Sequence, residues 1–515
     1  MQKIFTLFLL FVAIKTTAQI PEDAVRYSWL TQSGNARTIG IGGAIGSLGG
    51  DLSSNFVNPA GIGFYRTGEF SLSPTFSLNN LKTSFRGNTN EAKKNNFSFG
   101  TSGIVFRAGN DFSDDKRTTA GSIAFTQTAN FNNTIYYKGL NNYSSFSEQF
   151  AEEFVKSRLS INNALNTQST VPYTVAPALY TYLIDTVRVN GIIKIKAAPE
   201  YILEAGQAIQ QEFTKKTSGG MYELAGSYAI NDGNKWLAGV SVGIPIVNFE
   251  SSTTVTEKDT SNNSTNHFKS FTYNDTYKTT GAGFNARFGL IYRPKDYIRL
   301  GLAVHTPSFL ALTDERRATI STSLENPIGN FDVTSDVFTN NTKGKTVYNQ
   351  VSPWKVIVSG SYVFREVEDV TKQKGFISAD IEYVKHSSTK FSSNQEEPTA
   401  DDKAYYKQLN SVIKDIYKGA INAKLGGEVK FNTIMARLGF GYYGNPYKDA
   451  PIKSSKMTFS GGLGYRNKGY FIDIAYSRIV TKDFDVPYRL QNAETIYANT
   501  NRNSGNIVTT FGVKF

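Results

Sequence analysis

The chain is expected to be all-β: a fourteen-stranded antiparallel transmembrane barrel with an N-terminal hatch, or plug, in its bore and extended extracellular loops containing short helices. Three observations carry that expectation. The N-terminus reads as an export signal, and no later apolar run is long enough for a spanning helix. From Phe70 onward apolar residues recur every second position, with charges gathered on one parity. Short and long connections then alternate along the chain.

Lys3 precedes the apolar run Ile4 to Ile14, and Lys15-Thr16-Thr17-Ala18-Gln19 supplies small residues for cleavage after Ala18. Residues 1–18 therefore read as a signal peptide, because the run is too short to anchor the chain across a bilayer. Residues 19–66 are assigned to the hatch. Within it, Gly34 to Arg66 holds nine glycines among thirty-three residues, a composition that packs closely but cannot build its own core. Pro59 pushes Asn58 out of the helical region, so Asn58-Pro59-Ala60 reads as a fixed turn.

Residues 67–515 are assigned to the barrel. Ile421, Ala423, Leu425, Val429 and Phe431 oppose Asn422, Lys424, Gly426, Glu428 and Lys430. Ile298, Leu300, Leu302 and Val304 likewise oppose Arg299, Gly301 and His305, and Phe284, Phe288 and Leu290 oppose Asn285, Arg287 and Gly289. Strands are expected near 69–79, 95–107, 118–130, 219–230, 235–249, 281–292, 297–307, 353–364, 375–386, 419–431, 434–444, 456–466, 469–479 and 505–515. Joints after even strands are short, as at Asn432-Thr433 and Asn467-Lys468, whereas those after odd strands are longer. Tight turns on one rim and long loops on the other separate a barrel from a soluble sandwich.

The longest loop, 131–218, carries one amphipathic helix through Phe146, Phe150, Phe154 and Leu159 and a second from Pro199 to Phe213. A third helix is read from Tyr405 to Tyr417. The last strand ends on Phe515, on the apolar parity of Ile507, Phe511 and Val513, as bacterial outer-membrane barrels do.

Composition agrees. Aromatic residues make up 13% of the 515, with 29 Tyr, 36 Phe and 44 Gly, which suits an apolar outer band around a polar lumen. The absence of cysteine excludes a disulfide scaffold and thiolate metal sites. A formal charge of +12 is assigned to lumen lining and lipid headgroups, since no basic cluster or RNA-binding signature points to nucleic acid. Gly40 to Gly50 lacks the flanking strand and helix of a dinucleotide fingerprint. His267, His305 and His386 lie far apart without a second ligand at metal spacing, and no serine nucleophile elbow is present. No catalytic residue, metal or cofactor is assigned, and an enzyme is not expected.

The Gly-rich segment followed by Asn58-Pro59-Ala60, leading into the first strand, resembles the FadL/TodX/OmpP1 family of outer-membrane transporters. Gly283-Phe284-Asn285-Ala286 and Asn445-Pro446-Tyr447 add local likeness. The resemblance implies a bacterial outer-membrane channel for passive, ligand-gated uptake of hydrophobic molecules such as long-chain fatty acids, with a lateral gap beside an irregular third strand. Here that strand ends in Gln127-Thr128-Ala129-Asn130. The partners implied are a hydrophobic small molecule, outer-membrane lipid and lipopolysaccharide, around a monomer.

Charges facing lipid at mid-depth cost roughly 2–4 kcal/mol, so Arg287, Arg299, Asp380, Glu382, Lys424, Glu428, Lys430, Arg437 and Asp473 must line the lumen. They read as braces between wall and hatch, or, for Arg287, Arg299 and Arg437, as partners of a ligand carboxylate. Phe56, Val57, Ile62 and Phe64 are the hatch residues placed to touch an acyl tail or to pack the hatch. Two other readings stay open: a binding or adhesion barrel whose loops recognise a surface partner, and an outer-membrane barrel enzyme.

Overall fold

The computed structural model describes residues 23–108, 117–189, 191–261, 263–325, 327–364, 374–448, 454–491 and 493–515. The signal-peptide reading, and the turns around 109–116 and 365–373, lie outside these residues.

Among the described residues fourteen strands form one closed antiparallel wall. They are β1 (Glu69–Leu72 with Pro74–Phe85), β2 (Asn88–Phe99 with Ser102–Ala108), β3 (Arg117–Asn130 with Asn133–Asn141), β4 (Ile209–Asp232) and β5 (Trp236–Asp259). Next come β6 (Ser270–Lys295), β7 (Ile298–His305 with Phe309–Ser323), β8 (Gly344–Val351 with Lys355–Phe364), β9 (Gly375–Lys385 with Lys390–Ser393) and β10 (Gly419–Phe431). The last four are β11 (Ile434–Tyr443), β12 (Ser455–Asn467), β13 (Tyr470–Asp485) and β14 (Ala498–Lys514). Each pairs with its sequence neighbour, and β14 closes on β1 from Glu69↔Lys514 to Ser84↔Asn499. Closure leaves no sheet edge, which is what a strand-built wall in hydrocarbon demands.

The two parities separate as expected. Ile421, Leu425, Val429, Leu438 and Leu463 point outward and are exposed, while Arg437, Lys424, Asp380 and Asp473 are buried in the bore. On β5 the outward series Val240, Val242, Ile244 and Ile246 ends at Asn248. Trp236 stacks on its cross-strand partner Tyr292 with ring centroids 4.2 Å apart, and Tyr297 lies 5.4 Å from Tyr362. Tyr222, Tyr383, Tyr442 and Tyr476 lie toward the opposite rim. A continuous apolar band between aromatic girdles is the exterior of a membrane-spanning barrel of outer-membrane type.

β4, β5 and β6 run 24, 24 and 26 residues, well beyond that band. Their upper halves carry an extracellular subdomain, and here two expectations change. Residues 131–218, read as one loop, include Asn133–Asn141, which ladders onto β4, so the excursion from the wall runs only from 142 to 208. The helix read from Pro199 to Phe213 is only Glu200–Glu204. From Ile209 the chain is strand, because Ile209, Gln211 and Phe213 share a buried face at period two and β5 offers a ladder from Asp259 downward. The other two helices form: α1 (Glu148–Ser157) and α2 (Ala400–Ile416), the second closed by a Thr399/Asp402 capping box. Phe146, Phe150 and Phe154 pack against Phe213, Phe271 and Tyr273 in the subdomain core.

One buried carboxylate ties this subdomain together. Glu257 accepts hydrogen bonds from Phe146 N (2.7 Å), Ser145 Oγ (2.5 Å) and Gln211 Nε2 (2.6 Å). Burial pushes its acid up to about 7, against the pull of those three donors. Burial likewise raises Glu148 to about 7, with Glu200, Glu257 and Glu152 adding repulsion. Both folded-state values lie above the unfolded one, so the stability tied to the protonated form is complete below the unfolded value and is lost as pH rises through about 7. Proteolysis of the 142–208 excursion is therefore expected to be faster at about pH 8 than at about pH 5, and the paired substitutions Glu148→Gln and Glu257→Gln to flatten that dependence.

Candidate functional site: the plugged bore and a break in its wall

The N-terminal segment enters the bore as three short turns. Ala36–Gly40 is capped by Asn35, whose side chain accepts from Thr38 N. Leu52–Phe56 is capped by Asp51 and Pro59–Phe64 by Asn58. Gly42 and Gly43 have φ of +66° and +80°, the backbone region that glycine alone enters without strain. The first turn packs on β11 to β14 and the third on β3 to β6, so the segment spans the bore.

Asn58 is the central peg. Its Nδ2 donates to Gly46 O at 2.6 Å and to Leu290 O of β6 at 3.3 Å, and its Oδ1 accepts from Ala60 N at 3.2 Å. The wall is thinned where this backbone passes. A Cβ at Gly289 would stand 1.9 Å from Asn58 Oδ1, one at Gly239 2.5 Å from Pro59 C, and one at Gly301 2.5 Å from Gly46 O. On the far side, a Cβ at Gly426 would stand 2.1 Å from Ile41 O and one at Gly439 2.0 Å from Gly42 N. Five inward glycines on five strands thus let plug backbone lie directly on wall backbone.

The candidate residues distribute along this contact. Phe56 and Ile62 pack with Val105, Ala120, Ala225 and Ala229. Val57 packs with Ala303, Ile357 and Phe376, and its carbonyl meets His305 Nε2 at 2.8 Å. Ala60 and Phe64 pack on Leu237 and Ile291. Arg287 Nη2 donates to both oxygens of Glu223, at 2.6 and 2.8 Å. Arg299 donates to Leu48 O at 2.5 Å and lies over the Phe64 ring. Arg437 holds Glu428 at 2.6 Å and Asp473 at 2.7 Å, and Arg37 of the plug joins Glu428 at 3.7 Å. All three wall arginines therefore meet protein acceptors; Arg299 ties the plug to the wall directly, and Arg437 shares Glu428 with Arg37 of the plug. Asp380, on the same parity, accepts from Gly46 N at 3.0 Å and from Ser359 Oγ at 2.5 Å.

Above the plug lies a packed apolar cluster that the sequence did not announce. Val25, Tyr27 and Trp29 form it with Met221, Val247, Leu310 and Phe391, and Leu409 and Ile413 of α2 cover it. Trp29 Nε1 donates to Gly444 O at 3.1 Å, and Tyr447 meets its ring edge-on. Asn445-Pro446-Tyr447 was the visible signal, but nothing in it announces Trp29.

Beside this cluster the wall ladder is interrupted. The β2–β3 ladder runs from Ala108↔Thr119 to Ser102↔Phe125 and stops. Above it Asn88–Phe99 ladders with β1 alone, and β3 turns toward β4 through a register shift between Gln127 and Ala129. Side chains bridge the breach: Asn130 Nδ2 donates to Asn96 Oδ1 at 3.0 Å, and Lys94 Nζ to Thr217 O at 2.8 Å. Phe99 packs edge-on with Phe97 and Phe125 at the breach, while Phe131 meets Tyr27 and Phe249 on the side of the apolar cluster. The irregular end read at Gln127-Thr128-Ala129-Asn130 is this bend.

These features define a plugged outer-membrane barrel with a packed apolar cluster beside a break in its strand ladder. No family model and no curated protein sequence matches the chain. Solved structures do. A FadL homologue from Pseudomonas aeruginosa aligns over 95% of this chain and 99% of its own, with TM-score 0.53 and 13% identity. The toluene transporters TodX of Pseudomonas putida and TbuX of Ralstonia pickettii align over 94% of this chain and 99% of theirs, at TM-scores of 0.49 and 0.48 and identities of 13% and 15%. The first of these likenesses establishes that the chain shares the plugged-barrel fold of the FadL homologue.

Gly289→Ala drives a methyl into Asn58 and is expected to destabilise the seated plug by about 1–3 kcal/mol, the usual range for overpacking. Raised single-channel conductance and faster cleavage of residues 23–66 would report it. Gly360→Ala, whose Cβ meets nothing within 4 Å, is the silent control.

Proposed function

We propose that the chain is a passive outer-membrane channel that takes hydrophobic small molecules, such as long-chain fatty acids or aromatic hydrocarbons, from outside and releases them sideways into the membrane. The supporting observation is the interrupted β2–β3 ladder, which lies beside the packed apolar cluster and has Phe97, Phe99 and Phe125 at the break. A greasy solute leaving there never enters a water-filled lumen. The likeness to the FadL homologue supports the same reading, as do the names of the toluene transporters found with it.

In this reading residues 19–66 act as the hatch, freed of the signal peptide 1–18, and the protein works as a monomer. Ligand displacing Tyr27 and Trp29 from the apolar cluster loosens the upper plug while Asn58 and Arg299 keep the lower plug seated. Phe56, Val57, Ile62 and Phe64 then serve the seat of the hatch, and the ligand meets the cluster above them.

Two measurements test this. The chain lacks cysteine, so Asn96→Cys with Asn130→Cys introduces a single pair across the breach. Oxidation is expected to reduce uptake of labelled fatty acid or toluene by about tenfold or more, and reductant to restore it. Uptake untouched by a formed crosslink would refute lateral release. Deleting residues 20–62 from a barrel that still assembles is expected to abolish controlled uptake and leave an open, conducting bore; unchanged ligand-dependent uptake would refute gating.

A further inference from the structure

On the outer surface of β13, β14, β1 and β2 the cross-strand register stacks outward side chains in rows. Tyr476, Ile507, Phe76 and Phe97 form the last apolar row toward the extracellular rim. The next row begins at Arg478 and ends at Asn95, and the one above it ends at Lys93. Lys482, Asn501, Lys82 and Glu91 form the row above that. Four cations therefore start directly above the apolar band, on a face about 15 Å wide at the usual strand spacing. All four are exposed, Lys82 by 61% and Lys93 by 71% of the side chain. Arg478 Nε donates to Asn503 Oδ1 at 2.9 Å, which draws the guanidinium across β14.

Among the described residues Glu91 is the one carboxylate on the outward parity of these strands above the band, 4.0 Å from Lys82 and 3.5 Å from Lys93. On β5 to β8 the signs instead balance: Glu250, Lys278, Glu315 and Lys345 alternate along one row, and Lys278 holds Glu250 at 2.9 Å. Four cations facing one carboxylate, at the height where hydrocarbon gives way to headgroups, are complementary to phosphate. The amides of Asn95, Asn501 and Asn503 lie among them and can both donate to and accept from sugar hydroxyls. We propose that this patch binds the phosphorylated sugar headgroup of an outer-leaflet glycolipid, with its phosphates on the cations and its acyl chains down the row of Tyr476, Ile507 and Phe76. Cations spread over about 15 Å suit several phosphate charges on one sugar headgroup better than the single phosphate of phosphatidylglycerol. The site lies on the outside of the wall and depends on the outer-membrane placement of the barrel, not on what the bore conducts.

The test titrates purified full-length protein in detergent with diphosphoryl lipid A, its dephosphorylated counterpart and phosphatidylglycerol, and counts bound lipid by native mass spectrometry. Diphosphoryl lipid A is expected to be retained, the other two to bind about tenfold more weakly or less, and millimolar inorganic phosphate not to displace it. Lys82→Gln with Arg478→Gln should lower its retention about thirtyfold through loss of two headgroup-level cations. Lys278→Gln with Lys345→Gln makes the same charge change elsewhere on the outer surface and should leave retention unchanged. Heat-modifiable mobility reports that both variants are folded barrels. Equal binding of the dephosphorylated lipid or of phosphatidylglycerol, displacement by phosphate, or an equal loss in both variants would overturn the assignment. Because no uptake is measured, failure here leaves lateral release standing, and failed uptake leaves this patch standing.

Discussion

In hydrocarbon an unpaired peptide group has no water to bond, so the wall of this protein is governed by where its ladder closes and where it does not. Thirteen of the fourteen strand junctions run together through the apolar band, whereas β2 and β3 separate partway up it. Hydroxyls bond locally around the separation: Thr101 Oγ1 donates to Thr126 Oγ1 across it, and Thr128 Oγ1 donates to Met221 O at the adjoining β3–β4 register shift. A wall that keeps such a seam without sealing it carries a breach held by side chains, which move far more cheaply than strands.

The bore answers a different demand. Its inward charges are tolerated because each major one finds an opposite charge or a plug peptide group, as Arg437 does between Glu428 and Asp473. The plug buries Ile41, Leu52, Phe56, Val57 and Ile62 against the wall, and its placement is refined by backbone contact with the inward glycines and by Asn58 bonding two carbonyls at once. Polar contacts of this kind are specific in geometry yet modest in net strength.

Much of this was legible in the sequence. Parity alone placed Arg287, Arg299 and Lys424 inside, because the penalty for lipid exposure leaves no choice. Gly289, Gly301 and Gly426 fell on the same inward parity, but alternation says nothing of what lies opposite, so their contact with Asn58, Gly46 and Ile41 needed three dimensions. The Ile209–Phe213 stretch misled for a related reason: its apolar spacing fits a helix turn and a strand equally, and the β5 extension decides between them. Trp29 carries no local pattern at all, since its partner lies hundreds of residues away in Gly444.

The plug's two-sided seat has a consequence for assembly. One end packs on β3 to β6 and the other on β11 to β14, while the seam between β1 and β14 joins the first strand made to the last. A barrel already sealed and roofed by its extracellular subdomain would have to admit a folded segment with buried charges through either rim. Wrapping the sheet around the segment avoids that passage. The N-terminal piece is then the mandrel on which the cylinder is wound, and closure of the last seam locks it in.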